Sequence, residues 1–137
     1  MIGGKIMKET YSIKEILRKL EATDDGILLI PDSDVAIVDE RDLEVFELPE
    51  SLKNSKVIYF WTTDGIRNYF SITENRIIWF DNFISESATV FEGNVKEDIE
   101  IVIDERTFEP KILSENIKEY EDSNFYQEIG LDKNSDL

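Results

Sequence analysis

Apolar and polar residues alternate over much of the chain, most strongly in KVIYFWTTDGIRNYFSITENRIIWFD, Lys56 to Asp81. Period-two alternation rich in aromatic and β-branched residues predicts strands, and the punctuation predicts three of them, about 56–81, in a meander. Asp64-Gly65 marks the first turn; a two-residue type I′ loop takes φ > 0 at both positions. That loop predicts Trp61 opposite Asn68, Phe60 opposite Tyr69, Tyr59 opposite Phe70 and Val57 opposite Ile72. A second two-residue loop at Glu74-Asn75 places Ile72 opposite Ile77 and Phe70 opposite Trp79. One predicted face holds Val57, Tyr59, Trp61, Ile66, Phe70, Ile72, Ile77 and Trp79. The other holds Ile58, Phe60, Tyr69, Ile78 and Phe80. Both faces are apolar enough to need cover.

The period changes to helical in TYSIKEILRKLEATDDG. Ser12 and Glu15 form a capping box, Tyr11 can staple onto Ile16, and Ile13, Ile16, Leu17 and Leu20 share one stripe. A helix over about 13–22 follows, with Gly26 beyond its stop. ILLI and VAIV predict two short internal strands around the turn Pro31–Asp34. ERDLEVFELPE predicts a short irregular element using Leu43, Phe46 and Leu48, ended by Pro49. SATVFEG and EDIEIVIDE predict two more strands linked through Asn94 to Asp98. Pro110 breaks the pattern, and Leu113, Ile117 and Tyr120 then recur as on a helical face, predicting a helical segment over about 112–129. The ends, 1–7 and 130–137, are expected to be disordered. The fold class is therefore α+β: a mainly antiparallel sheet in one domain, 1–137. The N-terminal helix is expected on the more apolar face, and the C-terminal helix or another protein on the second.

At 137 residues, 41% hydrophobic and 11% aromatic, the chain has material for one sizeable core. It contains no cysteine and no histidine. Disulfides, thiolate nucleophiles, Ser-His catalysis and His- or Cys-ligated zinc are thereby excluded. No apolar run nears the ~20 residues of a membrane span, and the opening MIGGKIMKET lacks a signal-peptide core, so a cytoplasmic protein is expected. Gly3-Gly4-Lys5 is not a phosphate-binding loop. A calcium loop starting at Asp32 fails at Ala36 and Ile37, where a ligand and a glycine belong. Pro31-Asp32 with Glu109-Pro110-Lys111 matches the letters of a restriction-type nuclease core, but the spacing is too long and Pro110 interrupts the strand that would carry it. Neither a cofactor, a metal site nor catalysis is expected.

The net charge is −16. Residues 20–50 hold eleven acidic residues against Arg41 alone, residues 51–91 balance four against four, and residues 92–137 hold fourteen acidic against five basic. Such a field repels nucleic acid and anionic membrane and attracts a basic protein. In size and composition the chain resembles immunity proteins that neutralise nuclease toxins and DNA-mimic inhibitors. That resemblance implies a binding protein whose carboxylates pair with a partner's phosphate-holding Lys and Arg. The candidate partner surface is Asp24, Asp25, Asp32, Asp34, Asp39, Glu40, Asp42 and Glu44. A second candidate is the C-terminal block with Glu115, Glu119, Glu121 and Asp122. The competing readings are a non-catalytic adaptor or structural subunit of an assembly, and, third, a metal-dependent enzyme built on carboxylates.

Overall fold

The computed structural model describes residues 8–42, 52, 55–65, 67–81 and 86–128. The ends expected to be disordered, and the element expected from Leu43, Phe46, Leu48 and Pro49, lie outside these residues. Among the described residues the elements in chain order are β1 (Lys8–Ser12), α1 (Ile13–Glu21), β2 (Ile27–Leu29), β3 (Val35–Asp39), a 3-10 turn (Glu40–Asp42), β4 (Lys56–Thr62), β5 (Arg67–Ile72), β6 (Arg76–Asp81), β7 (Ala88–Glu92), α2 (Val95–Asp98), β8 (Ile99–Asp104), β9 (Thr107–Ile112), β10 (Lys118–Asp122) and α3 (Phe125–Glu128). The fold is α+β and mainly antiparallel, as the alternation predicts. A seven-stranded sheet has the order β10-β7-β6-β5-β4-β3-β2, and a three-stranded sheet the order β1-β8-β9.

Helix α1 starts where its cap dictates: the Ser12 hydroxyl accepts the Glu15 N–H at 3.1 Å. Ile13, Ile16 and Leu20 are fully buried on its inner stripe. That stripe and the inner face of the small sheet, Ile99, Ile101 and Ile103, close over one face of the large sheet. Phe108 of β9 reaches between the sheets and stacks on Phe60, with ring centroids 4.4 Å apart.

The β4–β5 hairpin turns at Asp64-Gly65, as expected, but its register differs by one residue. Trp61 faces Arg67, Phe60 faces Asn68, Tyr59 faces Tyr69 and Ile58 faces Phe70. Of the two turn residues only Gly65 takes a positive φ, 85°, and its N–H donates to the Thr62 carbonyl at 2.9 Å. This is a three-residue loop with glycine at the left-handed position, which spares Asp64 the strained conformation a type I′ turn imposes. One residue of slip exchanges the faces of a strand. Ile58 and Phe60 therefore join Phe70, Ile72, Ile77 and Trp79 under the helix. Val57 and Tyr59 join Tyr69, Ile78 and Phe80 on the second face. The β5–β6 turn at Glu74-Asn75 keeps its expected register, with Ile72 facing Ile77 and Phe70 facing Trp79.

The second face is covered by the chain itself over most of its width. Phe125 and Tyr126 of α3 are buried there, Phe125 lies 4.7 Å from Phe80 ring to ring, and the Tyr126 hydroxyl accepts the Asp81 N–H at 3.0 Å. The C-terminal helix is much shorter than the 112–129 expected. Residues Lys118–Asp122 instead pair with β7 as the sheet's outer strand. Leu113 and Ile117 mimic a helical repeat, but Leu113 is exposed and Ile117 is buried in a turn beside Gly93. Pro110 does not end a strand either: it lies within β9, opposite Ile101, on the outer strand of the small sheet, where a missing N–H costs no ladder bond.

Candidate functional site

The first acidic block brackets strand β3, which is buried along its length. Its two ends lie about 13 Å apart, four residue steps of extended chain. Asp24, Asp25, Asp39, Glu40 and Asp42 belong to one end; Asp32 and Asp34 belong to the other. The block is therefore two sites rather than one, and Glu44 lies outside the described residues.

At the first end Asp39 is buried, with 1% of its surface exposed. It is not part of a partner-facing surface, because Arg41 consumes it. The guanidinium reaches Asp39 Oδ2 at 2.7 Å through one terminal nitrogen and at 3.1 Å through Nε, and the Arg41 N–H donates to Oδ1 at 2.9 Å. Burial alone would raise the Asp39 pKa; the hydrogen bonds from Arg41 outweigh it and hold the carboxyl below its ordinary value. Arg41 also donates to the carbonyls of Leu20 at 2.7 Å and Thr23 at 2.8 Å, so one cation both neutralises Asp39 and caps the end of α1. Gly26 fits against this pair: its φ is 79°, and a Cβ there would fall 2.3 Å from Asp39 Oδ1. Asp24, Asp25 and Glu40 are exposed around it, and Lys56 pairs with Glu40 at 3.0 Å. The signal for this arrangement in the sequence is Arg41 itself, the lone cation among eleven acids.

At the second end the chain turns through Pro31-Asp32. The Ser33 N–H donates to the Ile30 carbonyl at 3.3 Å, and Asp32 has φ 60°. Proline followed by a left-handed residue is the type II arrangement, which Asp tolerates better than most side chains. Asp32 and Asp34 are both exposed. The Asp34 N–H donates to the Glu105 carbonyl in the β8–β9 turn, and Arg106 from that turn reaches Asp34 at 3.5 Å and Asp64 at 3.0 Å. Three hairpin tips from the two sheets are thus tied together around Arg106.

Beside these tips the second face of the large sheet exposes large apolar side chains. Leu29, Ala36 and Trp61 form one cross-strand row over β2, β3 and β4. Leu29 is 73% exposed and Trp61 45%. With Pro31 and Asp34 they line a mainly apolar groove of about 410 Å³. Thr62, the residue after Trp61, faces Val35, so its side chain lies on the opposite, helix-covered face, where its buried hydroxyl has no hydrogen-bond partner among the described residues. Sequence reasoning placed Trp61 on a covered face and Leu29 on an internal strand. β2 is instead the edge strand of the seven-stranded sheet, a placement set by long-range pairing that no local pattern encodes.

The second acidic block sits on and before the opposite outer strand. Glu115, Glu119 and Glu121 are exposed and Asp122 is half-buried. Glu121 is engaged by the hydroxyls of Ser87 at 2.8 Å and Thr89 at 3.2 Å. The cavity beside Ser87 and Thr89, also lined by Trp79, Phe80 and Tyr126, is smaller, about 160 Å³. Among the described residues no group of three or more carboxylates converges on a point that a metal could occupy. No described helix is long and apolar enough to cross a membrane. No protein-family model, curated protein or solved structure matches this chain.

Proposed function

We propose that this chain is a non-catalytic binding domain that neutralises a basic protein, of which a nuclease toxin is the natural example, by occupying the surface that would hold phosphates. The observation that carries this reading is the position of Asp32 and Asp34 directly beside the exposed Leu29–Trp61 row. Carboxylates on the rim steer a cationic partner into encounter, and a desolvated aromatic centre sets its residence time. A charge of −16 on a small domain adds long-range attraction for any basic protein and repulsion for nucleic acid itself. The absence of histidine and cysteine removes the commonest acid–base and nucleophile sets, so inhibition by occupancy is the simplest mechanism for this residue inventory.

The test is capture on tagged protein from the native host at low ionic strength, followed by assay of the captured protein. A basic protein should elute as salt rises from about 50 to 500 mM, and its action on nucleic acid should stop at one equivalent of this chain. A captured partner that is acidic, or that keeps full activity in the saturated complex, removes the inhibitor reading and favours the adaptor.

A further inference from the structure

We infer that the Leu29–Trp61 groove receives a single apolar side chain from a basic segment of the partner, with flanking Lys or Arg side chains on Asp32 and Asp34. This assignment rests on the reading just given and names its binding site.

Two independent features converge there. The first is apolar exposure: Leu29 and Trp61 stand out of an otherwise covered sheet face, and an apolar row rimmed by polar groups marks an interaction surface. The second is charge. Asp32 is exposed, and Arg106 divides its single charge between Asp34 and Asp64, so the rim keeps net negative charge.

Charge also decides between occupants. A second copy of this chain would bring another −16 against the same rim, which opposes self-association through this groove. A basic segment with one apolar residue satisfies both features together. Trp61 is the expected anchor, because a half-exposed indole loses the most apolar surface on docking.

The probe is a set of blocked pentapeptides, Lys-Lys-Leu-Lys-Lys, Lys-Lys-Ser-Lys-Lys and Glu-Glu-Leu-Glu-Glu. They are titrated into the full chain carrying Trp79→Phe, so that Trp61 alone emits. If Trp79→Phe fails to fold, the difference between wild type and Trp61→Phe gives the same signal. The leucine–lysine peptide should shift Trp61 emission to the blue and bind about tenfold tighter than the serine peptide, the value of burying most of one aliphatic side chain. The glutamate peptide should give no shift. Asp32→Asn with Asp34→Asn should weaken the leucine–lysine peptide several-fold at low salt and leave little salt dependence. Equal binding of leucine and serine peptides, equal binding of the lysine and glutamate peptides, or no shift with any of them overturns the assignment. The two proposals fail differently. A basic partner inhibited equally by wild type and by Leu29→Ser/Trp61→Ala keeps the function and removes the groove. A groove that selects the leucine–lysine peptide, in a protein that inhibits no basic partner, keeps the site and removes the function.

Discussion

The two ends of strand β3 carry similar residues and have opposite fates. At the Asp39 end a carboxylate is buried, met by Arg41, and turned into a fastening for helix α1. At the Asp34 end the carboxylates stay in water, and the apolar row beside them stays open. The difference lies in what each end is packed against. The first end meets the C-terminus of a helix, whose carbonyls attract a cation, and one arginine serves the Leu20 and Thr23 carbonyls and the carboxylate together. Among the described residues the second end meets other hairpin tips, whose backbone groups pair with one another, as the Asp34 N–H does with the Glu105 carbonyl. Negative charge density in a sequence therefore does not identify a partner surface: a buried, partnered carboxylate holds the fold, and only those left in water are available for recognition.

That contrast can be broken most sharply at Asp39. Asp39→Ala leaves Arg41 without its counter-ion and should cost roughly 2–4 kcal/mol in unfolding free energy, measured by urea denaturation. Because the Asp39 pKa is held below its ordinary value, the contribution of its charge is complete above the unfolded value and is lost as pH falls through the lower folded value. The stability gap between wild type and Asp39→Asn should therefore be constant from pH 7 to about 5 and narrow below about pH 4. A gap independent of pH down to unfolding would mean that Asp39 acts by shape rather than by charge.

Two glycines give the next largest effects and separate packing from backbone strain. Gly26 and Gly65 both have positive φ, 79° and 85°, but a Cβ meets Asp39 at Gly26 and open space at Gly65. Gly65→Ala should cost about 1 kcal/mol, the penalty of the left-handed conformation alone. Gly26→Ala adds a clash with the Asp39–Arg41 pair and should cost roughly 2–3 kcal/mol. Equal losses would show that the pair yields easily and is not the rigid fastening described.

The smallest effect is expected at the open end. Asp32→Asn with Asp34→Asn should change stability by no more than about 0.5 kcal/mol, since exposed charges contribute little to folding and Asn tolerates the left-handed position of Asp32. A loss as large as that of Asp39→Ala would place this end, too, among the structural elements.

The helix α1, the Asp64-Gly65 and Pro31-Asp32 turns, and the strands of the meander were legible in the sequence because each rests on local chemistry: a cap, a preset φ, a period of two or of 3.6. Register was not. A two-residue and a three-residue loop at Asp64-Gly65 differ only in which residues adopt positive φ, and the choice decides whether Phe60 faces the helix or Val57 does. The strand Lys118–Asp122 was illegible for a related reason. On a sheet edge it buries almost nothing, so it needs no alternation, and the chance spacing of Leu113, Ile117 and Tyr120 reads as helix. The acidity, the lack of histidine and cysteine and the chemistries this excludes follow from composition and hold in any fold. Which carboxylates are fastenings and which are free, and that Leu29, Ala36 and Trp61 share a groove, depended on contacts between residues far apart in the chain. Such contacts are settled only when the sheets close, since burial and hydrogen-bond partners belong to the packed whole and not to any segment of it.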